Sequence, residues 1–251
     1  MSKKNAPIKS LYGQKQNIEA YKILFERLKK NKIDLSILKN KDVLNVGSVT
    51  PRYNYALKKM GAKKIDNVSE NKLPKNWPKE FNYIKSKLDN LNTINKEYDF
   101  IFCNGILSHK KNWKKILKEI IKKLKNNGHL WLSLYSHGKH WKYADQIRKK
   151  LNKNDKNLFA EVLKMRDWEP NKINFLLELF FTDCRIYFDK KNIKNFLLDN
   201  NMTQIKFLKR GLKTDLNEKI YLNPNLRSFY GQGEIRLIAK KKNTYTNNKF
   251  N

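Results

Sequence analysis

Hydrophobic and polar positions along this chain follow two periods that replace one another at short intervals. The run "VLNV" at 43–46 is β-prone and apolar, and Gly47 follows where a buried strand leaves its sheet. Thr50 then stands where a helix N-cap is expected, Pro51 occupies the first helical position, and Tyr53, Ala56, Leu57 and Met60 recur at helical spacing before Gly61. This predicts strand, tight loop and helix, a shape in which backbone N–H groups at a helix start can face a bound anion or nucleotide. The same reading predicts a helix over 18–38 and strands over 63–69, 80–88 and 97–105. A helix follows over 111–128, whose apolar stripe is Trp113, Ile116, Leu117, Ile120, Ile121 and Leu124. After it come a strand over 128–136, a helix over 189–201 and strands over 202–211 and 233–242. Alternation of this kind implies a parallel sheet wrapped by helices, with ligands at the carboxyl ends of its strands.

Regularity breaks at residues 137–188, an insertion rich in aromatic residues (His140, Trp141, Trp168, Phe175, Phe180, Phe181) with helical segments. It is expected to cap the site. No internal repeat is present, and residues 242–251 are expected to be a disordered tail. At 251 residues and 39% hydrophobic the chain can bury a real core, and residues 1–241 fit one domain.

Composition narrows the chemistry. No apolar run approaches the ~18 residues needed to span a bilayer, and "MSKKNAPIKS" has no apolar segment behind its lysines. A soluble, cytoplasmic protein is expected. Two cysteines, Cys103 and Cys184, without a CxxC pair or a histidine cluster, indicate neither a disulfide framework nor a metal site. Cys103, inside "YDFIFCNG", reads as a reduced core thiol. The net charge of +32, from 55 Lys and Arg against 23 Asp and Glu, allows a nucleic-acid partner. Only eight of those 55 are arginine, however, and lysine and asparagine both have A/T-rich codons. The lysines of 111–128 fill the polar face of an amphipathic helix, so the charge also fits compositional drift.

The order of these segments carries a family resemblance. "DVLNVGSVT", then "GAKKIDNVSEN", then "YDFIFCNGILSH" with its helix and "LKNNGHLWLSLYS", closed by "FLKRG" and "GQGEIRLIAKK", resembles the class I S-adenosylmethionine-dependent methyltransferases. The resemblance covers about 15–136 and 186–241. It implies a Rossmann-like α/β fold with a seven-stranded sheet, helices on both faces and the insertion between strands 5 and 6. It also implies S-adenosyl-L-methionine as cofactor. Its first motif departs from the family: Asn45 stands where an acidic residue is usual, Gly47 is kept, and Ser48, Val49, Thr50 and Pro51 follow where small residues and glycines are common.

Carried over by position, the resemblance implies cofactor contacts from Asn45, Gly47, Ser48 and Thr50, and a ribose contact from Ser69 or Glu70. It further implies an adenine-side contact from Asp89 and contacts from Asn104 and Gly105 to cofactor or substrate. His109 is a candidate base, and Asp183 and Tyr187 are candidates for the substrate pocket. Each also has a plainer reading, as a turn former or a packing residue. A sulfonium methyl is already activated, so such an enzyme mainly aligns its acceptor and excludes water. The aromatic insertion argues for a small-molecule acceptor. Two other readings stay open: a cofactor-less protein of this fold that holds nucleic acid, or an RNA methyltransferase. A nicotinamide-dependent oxidoreductase is disfavoured by the lack of G-x-G-x-x-G after the first strand.

Overall fold

The computed structural model describes residues 8–215, 218, 221–231 and 233–243. The expected tail, from residue 244 onward, lies outside the described residues. Seven strands form one sheet in the order β3-β2-β1-β4-β5-β7-β6. They are β1 (Asp42–Val46), β2 (Lys64–Ser69), β3 (Asn82–Lys85), β4 (Tyr98–Asn104), β5 (Leu124–Tyr135), β6 (Met202–Phe207) and β7 (Glu234–Lys241). Strands β1 to β5 pair in parallel, and β7 runs antiparallel between β5 and β6.

Eight helices accompany them among the described residues: α1 (Ile8–Lys30), α2 (Arg52–Lys59), α3 (Trp113–Lys122), α4 (Lys139–Lys150), α5 (Lys156–Met165), α6 (Pro170–Phe181), α7 (Lys190–Asp199) and α8 (Pro224–Tyr230). Alternation along each strand divides the core into two clusters. Val43, Phe100, Phe102, Trp131 and Ile238 meet Ala20, Leu24 and Leu28 of α1 and Ala56 and Leu57 of α2. Leu44, Val46, Ile101, Cys103 and Leu132 meet Ile116, Leu117 and Ile120 of α3 and Ile193 and Leu197 of α7. Thus α2 leads from β1 to β2 across one face, and α3 leads from β4 to β5 across the other. Crossovers of one hand that run in opposite directions must use opposite faces, and between β1 and β4 the loops part into a crevice.

Several expected boundaries move. The first helix, expected over 18–38, runs over Ile8–Lys30, and Asp34 caps a separate 3₁₀ turn at Leu35–Ile37. The strand expected over 80–88 shortens to Asn82–Lys85. Helix α3 ends at Lys122, and β5 begins at Leu124 rather than near 128. Asn127 adopts φ 63 and the pairing of β4 with β5 shifts between Tyr98 and Phe100, so this lysine- and asparagine-rich stretch is an irregular strand start instead of a last helical turn. At α2 the helix begins one residue later than expected: Pro51, not Thr50, is the capping residue, with its carbonyl accepting the Tyr55 N–H at 3.0 Å. The Thr50 side chain makes no cap; Ser48 closes the turn by donating its hydroxyl to the Thr50 carbonyl at 2.7 Å. The insertion holds α4, α5 and α6. The β6–β7 connection carries α8, an element that the sequence pattern does not predict.

Candidate functional site

The crevice opens at the carboxyl ends of β1, β2 and β4. Asn45 is buried on the α2 side of β1, where it is hydrogen-bonded at 2.5 Å to Asn54 of α2, and it pairs in register with Asn67 of β2. Asn67 in turn donates to the Ser48 carbonyl at 3.0 Å, so buried amides brace the first loop from below. Amides can do this where a carboxylate would need a cationic partner. Gly47 adopts φ +81, which glycine tolerates without strain. A Cβ there would come within 2.7 Å of Ile106, so the space beside Gly47 is filled by the chain itself. The small size of Gly47 thus serves its contact with Ile106. Val49 points outward and is 44% exposed.

Gly105 differs. It also has positive φ, +85, yet nothing lies within 4 Å of where its Cβ would be. Asn104 before it ends β4, in register with Ser133 of β5, which is in register with Arg236 of β7. Because Phe102, Trp131 and Ile238, two residues away on each strand, belong to the α1–α2 cluster, this row faces the same side.

At the end of β2, Ser69 is buried and its hydroxyl accepts the Asn71 N–H at 3.3 Å. Glu70 reaches over the edge. Its carboxylate accepts the Leu88 N–H at 3.1 Å and pairs with Lys110. Asp89, one residue on from Leu88, accepts from the Asn112 amide at 2.9 Å ahead of α3.

His109 closes a 3₁₀ turn (Ile106–His109) after β4 and packs edge-on against Tyr135 with ring centroids 5.3 Å apart. Its Nδ1 lies 3.1 Å from the Thr182 hydroxyl, and that hydroxyl donates its single hydrogen to the Cys184 carbonyl at 3.0 Å. That pattern favours the Nδ1–H tautomer, with the lone pair on Nε2. Burial, then the charge of Arg185, holds the imidazole below its usual pKa, so it is neutral near pH 7. Tyr187 donates to Asp145 of α4 at 2.5 Å, and Arg148 and Arg185 pair with the same carboxylate at 3.2 and 3.0 Å. Burial and the Asp145 contact push the Tyr187 phenol up to about 12, which keeps it protonated. The structure does not bring Asp183 to this group: it is 80% exposed and pairs with Lys153.

Three of the four histidines share the depressed state. Burial and nearby cations lower His109 and His129, and burial with Arg185 and Arg210 takes His140 down to about 4. The unfolded chain binds more protons than the folded one between the unfolded pKa near ~6.5 and these lower values, so this stability is present above ~6.5 and lost as pH falls. The melting temperature is expected to drop from pH 7.5 to pH 5, and His140→Gln to flatten that slope. A slope unchanged in the variant would count against the assignment.

Sequence reasoning missed the arginines. Arg27, Arg210, Arg227 and Arg236, half of the eight in the chain, gather beside β7, far apart in sequence. The signal was available: where lysine is the default cation, an arginine marks a place that uses its planar fork.

A family model described as "Methyltransferase domain" matches residues 23–201. No curated protein matches the chain in sequence. Among solved structures, PKMT2 from Rickettsia typhi superposes with a TM-score of 0.57 at 14% identity, covering 94% of this chain and 55% of its own. A Listeria monocytogenes protein assigned as an S-adenosylmethionine-dependent methyltransferase gives 0.54 at 14% identity, covering 86% and 98%. The plantazolicin methyltransferase BpumL, in complex with a monoazolic desmethylPZN analog and S-adenosylhomocysteine (SAH), gives 0.52 at 11% identity, covering 93% and 89%. At these identities the likeness is one of fold.

Proposed function

This chain belongs to the family of methyltransferase domains, and we propose that it transfers a methyl group from S-adenosylmethionine to a small acceptor bound at the carboxyl edge of the sheet. The observation that carries this reading is the open space at Gly105, at the topological switch point, flanked by a carboxylate at the end of β2. An adenosyl cofactor fits these residues. Glu70 would meet the ribose hydroxyls, Asp89 the adenine side, and the Ser48–Thr50 turn with Asn104 and Gly105 the methionine end. The cofactor supplies an activated methyl group. The chain's own work is to hold the acceptor in line and to keep water out.

His109 serves as the base when the acceptor carries a proton: Nε2 takes it, while Nδ1–H stays on Thr182 and fixes the ring. Tyr187 positions α4 through Asp145 and exchanges no proton. Asp183 contributes at most to the rim. Calorimetric titration with SAH tests the reading. Binding with a 1:1 stoichiometry and a rise in melting temperature are expected, since ligand at ~100 times its dissociation constant adds about 2.7 kcal/mol. Neither heat nor thermal shift at millimolar SAH would sink it.

A further inference from the structure

A cavity of about 340 Å³ is lined in part by Arg236, which is in register with Ser133 and, through it, with Asn104. Its lining includes Lys190, Arg210, Tyr221, Arg227, Glu234 and Arg236. Glu234 opens β7 and pairs in register with Tyr135, the last residue of β5, so the cavity sits at the same carboxyl edge as the crevice. Its walls are held tightly: the Tyr221 hydroxyl occupies the place of a Cβ on Gly233, and Gly231 packs on the His137 carbonyl.

Charge on these walls is unevenly answered. Behind the cavity, Arg27 pairs with Asp215 at 2.7 Å and with Glu218 at 2.5 Å. Arg236 pairs with Glu218 and Glu234, and Arg210 lies 3.7 Å from Glu218 with its guanidinium 3.8 Å above the Tyr221 ring. Among the described residues three arginines thus face three carboxylates. Lys190 and Arg227 stand outside that balance. Among the described residues Arg227 donates to the Tyr221 carbonyl, at 2.8 and 3.2 Å, and Lys190 rests over the Phe207 ring. Neither forms an ion pair with a carboxylate among the described residues.

We propose that this cavity anchors an anionic group, a carboxylate or a phosphate, on the methyl acceptor. This rests on the methyl-transfer reading and names its substrate class. Asn104, Ser133 and Arg236 lie on adjacent strands spaced ~4.8 Å apart, so Arg236, on the cavity wall, is about 10 Å from the end of β4. The acceptor would place its anion at Arg227 and Lys190, which line the same cavity as Arg236, and its reacting atom toward Gly105. Arginine and lysine together suit the task, the first by its paired donors and the second as a point charge.

The test uses phenyl phosphate, benzoate and neutral benzamide as probes in calorimetric titrations of the full chain, with SAH titrated in parallel. Phenyl phosphate or benzoate should bind and benzamide should not. Arg227→Gln and Lys190→Gln should each weaken the anion about tenfold, the effect of one charge-assisted contact. Lys118→Gln on α3 removes the same charge elsewhere and should leave binding unchanged. Equal loss in all three variants, or no anion binding in the parent protein, overturns the proposal. Whichever of the two anions binds more tightly identifies the group. SAH affinity should be unaltered throughout. Anion binding that depends on Arg227 and Lys190 in a protein that does not bind SAH would keep the cavity and remove the methyl-transfer reading.

Discussion

Arg27→Met is expected to cost the fold about 3–5 kcal/mol, the usual penalty for removing one partner of a buried ion pair. Arg27 is 2% exposed and donates to both Asp215 and Glu218, tying α1 to the segment before α8. Methionine fills similar space, so the loss reports two buried carboxylates left with fewer cations rather than a cavity. Arg236 still reaches both, at 3.9 Å for Asp215, which favours the lower end of the range. Burial already raises the Asp215 pKa despite Arg236 and Arg27, and losing Arg27 raises it further. The variant can therefore relieve its strain by protonating Asp215, and its deficit should narrow between pH 7 and pH 5. Urea unfolding at both pH values measures this, with an unchanged slope showing that stability alone has moved. A deficit below ~1 kcal/mol, or one that widens in acid, would show that the network does not hold α1 in place.

The second large effect is on ligand binding. Glu70→Gln is expected to weaken SAH by tenfold to a hundredfold, because a carboxylate hydrogen bond to a ligand is worth roughly 1.5–3 kcal/mol and the amide keeps shape without charge. The fold should hardly notice. Glu70 and Lys110 are both partly exposed, and pairs of that kind contribute about 0–1 kcal/mol. Lys110→Met separates the roles: it frees Glu70 from its cation and should leave SAH binding equal or tighter. If Glu70→Gln binds SAH as well as the parent protein, the ribose assignment fails and Ser69 takes its place.

How far these features could be read in advance follows from what each depends on. Periodicity is local, and it located β1, β2, β4, α2, α3 and α7 because each buries one stripe or face against its neighbours. It misplaced the start of β5 because "LKNN" pairs with Tyr98 only through a shifted register, which no local pattern reveals. It passed over α8, whose Leu226 and Phe229 stay partly exposed and leave a weak stripe.

The amino-acid order by itself determined the alternation of strand and helix, and with it the parallel sheet and the crevice between β1 and β4. Handedness and the hydrophobic effect act on it in the same way wherever such an order occurs. Only the tertiary structure decided what each glycine is for. Gly47 and Gly105 look alike in sequence and share a positive φ, but Ile106 fills the space at one and nothing fills it at the other. The tertiary structure likewise decided that Tyr187 would be spent on Asp145 and Asp183 on an exposed pair with Lys153, and that arginines from α1 and the β6–β7 connection would meet. Those outcomes depend on which distant groups compete for a side chain, and that competition begins only when the chain has closed on itself.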